Sequence, residues 1–292
     1  MAGKSPWKMP LQVVKGMILG ELQAKVFIRV IAIESGWKGF RMDLATTDAD
    51  IMKRRMAFLK EVGIFADLSE QNLRVLAENL VSRKYRRMEI IFHQGDDSQT
   101  LYLIVKGKVR IYSTNPGGEE TSYRIFSEKD VIGEFAAIDG KPRSTTAKAV
   151  EDCVLIELER SRLMAYLRQM PELSMGLIRH LVSKLRWTTE YAETIARYDT
   201  KGRLLHIILQ YKDLFGKEIE PGKVYEYQLY MNQEDLASMI GARREWVNRI
   251  LQQWRKDGLL EASHGKIKIL DLPAVEKERN RRMDLLDESG EW

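Results

Sequence analysis

The chain of 292 residues has a single cysteine, Cys153. A lone thiol excludes a disulfide framework, a structural zinc site built on thiolates, and any iron–sulfur cluster that needs four thiolates from one chain. Long apolar runs are missing too. The stretch from Leu11 to Ile33 is broken by Lys15, Glu21, Lys25 and Arg29, which rules it out as a membrane span and spoils it as the apolar part of a secretory signal. The cytoplasm is therefore the expected compartment. Serines, histidines and carboxylates are present, but none has the spacing of a nucleophile–base triad, a metal site or a carboxylate pair. No enzymatic activity is expected. Net charge is also scarce once it is located. Residues 1 to 41 hold seven basic and two acidic side chains and so carry the whole excess of +5, while the remaining 251 residues have 40 of each sign. Any surface for a polyanion must be a local patch on a neutral body. At 44% hydrophobic and 30% charged residues, the chain can bury a substantial core and has room for two ordinary domains.

Periodicity divides what is there. Ile18, Leu22, Val26, Val30 and Ile33 recur at roughly helical spacing in an extension over residues 1–47, but Gly16, Gly20, Gly36 and Gly39 weaken a long helix. The alternative is that translation begins at Met42. Asp48 to about Val81 reads as helical, interrupted at Gly63 and restarted near Ser69 and Asn72. From Tyr85 to Leu158 the period changes to two, and glycines at 95, 107, 117, 118, 133 and 140 punctuate about eight short strands. That pattern predicts a small jelly-roll or barrel. Pro171 opens a long helix on which Ile178, Leu181, Leu185, Thr188, Ala192 and Ile195 alternate at spacings of three and four. Such a seam predicts that two copies pair, although it could instead pack on its own barrel. A helix over Arg203–Leu214, a Pro221-Gly222 turn and an alternating strand through Tyr225, Tyr227 and Leu229 follow. Asn232 and Asp235 suit a capping box, Gly241 ends that helix, and a second begins near Arg243 with Val247, Ile250, Leu251 and Trp254 on its inner face. Two short helices across one glycine turn are a helix-turn-helix. Lys266 and Lys268 alternate with Ile267 and Ile269 after Ser263-His264-Gly265 and read as a β-hairpin wing.

The segment Ile132 to Ala147 is the most informative. Gly133 opens a short helical turn with free N–H groups, and Glu134 offers an acceptor suited to a ribose hydroxyl. Ten residues later Arg143 and Ser144 offer a guanidinium and a hydroxyl to a phosphate. A carboxylate beside one arginine suits a ligand presenting a hydroxyl and a single negative charge, as a cyclic nucleotide does; the alternative is an internal Glu134–Arg143 ion pair. Gly-Glu, Pro-Arg-Ser and the trailing Ala resemble the phosphate-binding cassette of cyclic-nucleotide-binding domains. With the helix-turn-helix, residues from about Asp48 to Leu272 resemble the cyclic-AMP receptor protein family of bacterial transcription regulators.

The resemblance implies an α+β fold: a cyclic-nucleotide-binding β-roll over 48–170, a dimerisation helix over 171–200, and a winged helix-turn-helix domain with a tail over 201–292. It implies cyclic AMP as effector, with Gly133 and Glu134 at the ribose and Arg143 and Ser144 at the phosphate. Thr188 and Thr189 fall where that family meets the adenine from both subunits, Thr189 standing in place of a serine. It also implies double-stranded DNA and RNA polymerase as partners, a homodimer, and a palindrome with half-sites close to TGTGA. On the second helix Glu245, Arg249 and Gln252 fall opposite the buried stripe, flanked by Arg244 and Asn248. Arg244, Glu245 and Arg249 match the family's base-reading residues; Trp246, Arg243 and Asn248 depart from it. Lys266 and Lys268 are candidate phosphate contacts. Haem ligation is not expected, because His93, His180, His206 and His264 show no pairing, and Cys153 reads as a buried small hydrophobe. Two alternatives remain: the same DNA-binding architecture with a cyclic dinucleotide or no effector, and a regulatory subunit of a partner enzyme.

Overall fold

The computed structural model describes residues 48–263 and 265–288; the amino-terminal extension and His264 lie outside them. Helix α1 (Asp48–Lys60) gives way to turns around Gly63 and then to α2 (Glu70–Glu78). Ser69 is the N-cap of α2, its hydroxyl accepting the Asn72 N–H at 3.2 Å. Helix ends at Glu78 rather than Val81, because Val81 already starts a strand.

Eight short strands follow: β1 (Val81–Tyr85), β2 (Ile90–Phe92), β3 (Thr100–Lys106), β4 (Val109–Thr114), β5 (Glu120–Phe126), β6 (Val131–Ile132), β7 (Thr146–Ala149) and β8 (Cys153–Glu159). They form two four-stranded sheets, β1-β8-β3-β6 and β2-β7-β4-β5, with antiparallel pairing throughout. Side chains from all eight strands, including Phe92, Ile104, Val109, Phe126, Ile132, Ala147 and Leu155, meet in one apolar core. The period of two explains the second core. Tyr102 and Ile104 point inward, while Leu101, Leu103 and Val105 point out to α1, α2, α4 (Arg160–Gln169) and the start of α5 (Pro171–Arg197). The short α3 (Glu134–Asp139) sits between β6 and β7.

Helix α5 has 27 residues and Pro171 in its first turn. Its start is fixed by close contact: a Cβ on Gly176 would lie 2.2 Å from the Ile64 carbonyl oxygen. Further along, Met175, Ile178, Val182, Leu185 and Ile195 remain between 40% and 66% exposed. The uncovered stripe therefore passes through Val182 and not the half-buried Leu181, one position round from the expected seam. These side chains do not pack on their own β-roll.

The carboxy-terminal unit comprises α6 (Thr200–Phe215), β9 (Lys217–Glu220), β10 (Val224–Gln228), α7 (Gln233–Ile240), α8 (Arg244–Lys256), β11 (Leu260–Ser263), β12 (Lys266–Ile269) and α9 (Leu272–Glu288). Its sheet runs β11-β12-β10-β9, and β11–β12 is the expected hairpin. The chain changes direction at Tyr198 and Asp199, and Asp199 caps α6 by accepting the Gly202 N–H at 2.7 Å. Gly202 is the third residue of α6 and is buried there. A Cβ on it would lie 2.8 Å from both the Arg282 Cβ and the Tyr198 ring, so this glycine permits close packing and not rotation.

Candidate functional site

At the start of α3 the backbone dictates the residue. Gly133 has φ +75°, and a Cβ there would lie 2.5 Å from Arg143 Nη1 and 3.0 Å from the Thr100 carbonyl oxygen. Arg143 is 3% exposed. Its Nη1 donates to the Gly133 carbonyl at 2.8 Å, its Nη2 to the Thr100 carbonyl at 2.6 Å and its Nε to Ser98 Oγ at 3.0 Å. The guanidinium also lies 4.2 Å from the centre of the Phe92 ring. All three acceptors are neutral, and two of the five guanidinium N–H groups remain for an incoming oxygen. Burial lowers the pKa of Arg143 from its ordinary value, yet arginine remains a cation. The loop around it is held by backbone bonds, Arg143 N–H to the Asp96 carbonyl at 2.9 Å and Gly95 N–H to the Arg143 carbonyl at 2.8 Å. Ser144 is exposed beside it.

Glu134 is 2% exposed and does not bond to Arg143. It accepts instead from Lys184 Nζ on α5 at 2.6 Å. Lys184 also donates to the Val131 carbonyl at 3.2 Å, and its ammonium lies 4.7 Å from the centre of the Phe126 ring. Sequence reasoning missed Lys184. A signal was available, since it stands one helical turn before Thr188 and so shares that residue's face. Thr188 donates its hydroxyl proton to the Lys184 carbonyl at 2.9 Å, and Thr189 donates to the Leu185 carbonyl at 3.0 Å. Thr188 thus stands over the lysine that reaches Glu134, while Thr189 stands over the exposed apolar stripe. Both hydroxyls are exposed with lone pairs free to accept. Nearby on β5, the Arg124 guanidinium lies 5.5 Å from the centre of the Trp187 ring, and its buried Nε has no hydrogen-bond partner.

In the carboxy-terminal unit the capping box forms as the residues require. Asn232 Oδ1 accepts the Asp235 N–H at 2.8 Å and Asp235 Oδ2 accepts the Asn232 N–H at 2.9 Å. Gly241, at φ +68°, ends α7. Helix α8 buries Val247, Ile250, Leu251 and Trp254 and exposes Arg244, Glu245, Asn248, Arg249 and Gln252. Asn248 Oδ1 accepts from Gln233 and Gln252, each at 3.4 Å. Arg244, Glu245 and Arg249 make no side-chain hydrogen bond or ion pair with any described residue. They are donors and an acceptor held on a rigid helix with their polar ends in water. On the wing, Lys266 is exposed and shared with Glu226 at 3.3 Å, whereas Lys268 is half-buried.

Among the described residues no cluster of His, Cys, Asp and Glu could hold a metal ion, and no helix is long and apolar enough to cross a membrane. Burial pushes the Cys153 thiol up to about 11, so it carries no thiolate at neutral pH. His180 and His206 have buried Nε2 atoms without partners, and burial lowers both pKa values.

The family model described as cyclic nucleotide-binding domain matches residues 82–170, and that described as Crp-like helix-turn-helix domain matches residues 202–278. The chain is 28% identical over 213 residues to the CRP-like cAMP-activated global transcriptional regulator of Mycobacterium tuberculosis, covering 73% of this chain and 94% of that protein. It is 26% identical over 219 residues to the cyclic AMP receptor protein of Thermus thermophilus, covering 75% and 97%. FixK2 from Bradyrhizobium japonicum has the same fold at a TM-score of 0.60 and 20% identity, over 68% of this chain and 96% of that one. With a nucleotide-binding β-roll and a Crp-like reading head in the same order along one chain, the protein belongs to the cyclic-AMP receptor protein family and is a cyclic-nucleotide-binding, DNA-binding transcription regulator, not an enzyme.

Proposed function

We propose that the protein is a cytoplasmic homodimer that binds cyclic AMP and then reads a palindromic DNA site, where it contacts RNA polymerase. One observation carries the ligand reading: Arg143 is a nearly buried cation held by neutral oxygens alone. The Asp96 and Glu134 carboxylates act on this cation without bonding to it, so an anion that reaches its free N–H groups gains a direct charge-assisted pair. A cyclic phosphate fits the two remaining N–H groups with Ser144 beside them. The ribose hydroxyl donates to Glu134, taking the place of Lys184. Thr188 of one protomer and Thr189 of its partner accept from the adenine amino group, which accounts for adenine over a base with an oxygen at that position. Pairing of the exposed α5 stripe brings the two reading helices about one DNA turn, ~34 Å, apart. Arg244 and Arg249 then donate to guanine and Glu245 accepts from cytosine, with Lys266 and Lys268 near phosphates.

A second reading, a cyclic dinucleotide effector, is favoured by Arg124, whose buried Nε has no partner. Calorimetric titration with cyclic AMP, cyclic GMP and a cyclic dinucleotide tests both. Saturable binding of cyclic AMP that is lost in Arg143→Ala supports the first; heat with the dinucleotide alone supports the second.

A further inference from the structure

β5 is an edge strand, and edge strands present unpaired N–H groups. Here the reading head covers that edge with its own hydroxyls. Ser122 N–H donates to Ser238 Oγ on α7 at 3.1 Å, and Ile125 N–H donates to the Tyr211 hydroxyl on α6 at 3.1 Å. Outward N–H groups normally lie two residues apart; these are three apart because the β4–β5 register slips between Ile111 and Tyr112, where Tyr123 is the extra residue. The Ile125 side chain is 1% exposed and sits inside the head's own apolar core. Beside it, Arg110 on β4 is 6% exposed and Asp235 on α7 is 7% exposed, and Arg110 Nη2 meets Asp235 Oδ1 at 2.8 Å. The same guanidinium pairs with Glu120 at 2.7 Å and donates to Ser122 Oγ from Nε at 2.8 Å. Asp235 is also the third residue of α7 and closes its capping box with Asn232, so the sensor grips the helix-turn-helix at the end that fixes its first helix.

We propose that Arg110 and Asp235 form a latch in which Arg110 is the positioning residue of the reading head, and that the nucleotide signal reaches the DNA-binding helices through β5. This rests on the proposed nucleotide response. β5 touches both parties. Phe126 faces Lys184, the residue bound to Glu134, while the preceding Ile125 is buried in the head. A ribose hydroxyl that takes Glu134 from Lys184 alters what Phe126 packs against, one residue from the head's core. The docking angle matters for reading DNA, because a cleft of about 1060 Å³ separates Arg87 and Lys148 of the sensor from Arg244 and Lys266 of the head. How the head is latched sets the room available to a duplex at Arg244. With Gly202 packed and capped, a free swivel between α5 and α6 does not supply that control.

The decisive variant is Asp235→Asn in the full chain. Its amide oxygen still accepts the Asn232 N–H and keeps the cap, but the charge facing Arg110 is gone. Arg110→Met is the partner variant; it leaves two carboxylates without their cation and is the one at risk of misfolding. Three measurements are made on each folded protein: amide exchange at Ser122 and Ile125, cyclic AMP affinity, and affinity for a palindromic duplex with and without cyclic AMP. Expected is exchange at those two amides about tenfold faster or more, as local opening requires. Nucleotide affinity stays near that of the unaltered protein, while the nucleotide-induced gain in DNA affinity falls to about twofold or less. Arg110→Met placed in the Asp235→Asn background should cause no further loss of that gain. Unchanged protection of both amides in Asp235→Asn overturns the latch, as does an unchanged gain. If the unaltered protein shows no nucleotide-induced gain, the proposed nucleotide response fails, and the exchange comparison still decides whether the head is latched.

Discussion

The ligand pocket and the reading helix use charge in opposite ways. In the pocket, Glu134 and Arg143 are 2% and 3% exposed, and each is already engaged by the protein, Glu134 by Lys184 and Arg143 by three oxygens. On α8, Arg244, Glu245 and Arg249 stand in water without hydrogen-bond or ion-pair partners among the described residues. On the proposed function Glu134 exchanges Lys184 for the ligand while Arg143 adds the ligand to the oxygens it already holds, so removing either disturbs both the ligand and the protein contacts around it. A reading residue only gains contacts, so its removal is felt at one base and nowhere in the fold. On the proposed function the first kind of residue acts as a switch, the second as a letter in a code.

The largest expected effect therefore belongs to the pocket. Arg143→Ala should lower cyclic AMP affinity by about 2–5 kcal/mol, the range for truncating one side of a buried charge pair, and should remove the nucleotide-induced gain in DNA affinity. Calorimetry and a DNA titration measure the two losses. Glu245→Ala tests the other half of the contrast: it should cost about 1–3 kcal/mol at one base pair, relax the preference there, and leave cyclic AMP binding untouched. Selection from random duplexes reads this directly. Thr188→Ala combined with Thr189→Ala lies between the two regions. Nucleotide should still bind, at a loss of about 0.5–1.5 kcal/mol for each hydrogen bond, but its effect on DNA affinity should shrink. A full gain in that double variant would remove α5 from the path. Lys266→Ala should weaken all sequences alike and reduce the salt slope by about one at most, since Glu226 already shares its charge. Deleting residues 1 to 41 should have the smallest effect, an unchanged salt slope in the same titration.

Local rules made much of this molecule legible in its sequence. Gly133, with a positive φ and no room for a Cβ, is required by the turn that Glu134 and Arg143 share, so a short motif carries the whole cassette. Asn232, Asp235 and Gly241 mark the ends of α7 for the same reason: caps are decided within a few residues. What stayed hidden depends on distant partners. Lys184 meets Glu134 from 50 positions away, and Arg110 meets Asp235 across 125, distances at which periodicity says nothing. β9 is four exposed residues, Lys-Glu-Ile-Glu, with no buried face to betray it. α9 has Leu272 and Val275 as buried apolar anchors and otherwise reads as a charged tail. Gly202 was legible as a glycine but not as to which use it serves, since freedom of φ and closeness of approach look alike in a sequence.

The seam is the subtlest case. Spacing of three and four along α5 is satisfied both by the set containing Leu181 and by the set containing Val182, and exposure distinguishes them. Val182 is 45% exposed while Leu181 is half-buried. The shift by one position also separates the two threonines, Thr188 toward its own pocket and Thr189 toward the stripe.

The central claim is that nucleotide binding in the β-roll raises the affinity of the reading head for its site. The most direct measurement is a titration of a fluorescent duplex carrying two TGTGA half-sites one helical turn apart, at fixed salt, with and without saturating cyclic AMP. A gain of about 5–150-fold is expected, with two protomers on each duplex. The same affinity with and without cyclic AMP, in a protein that calorimetry shows to have bound it, would contradict the claim.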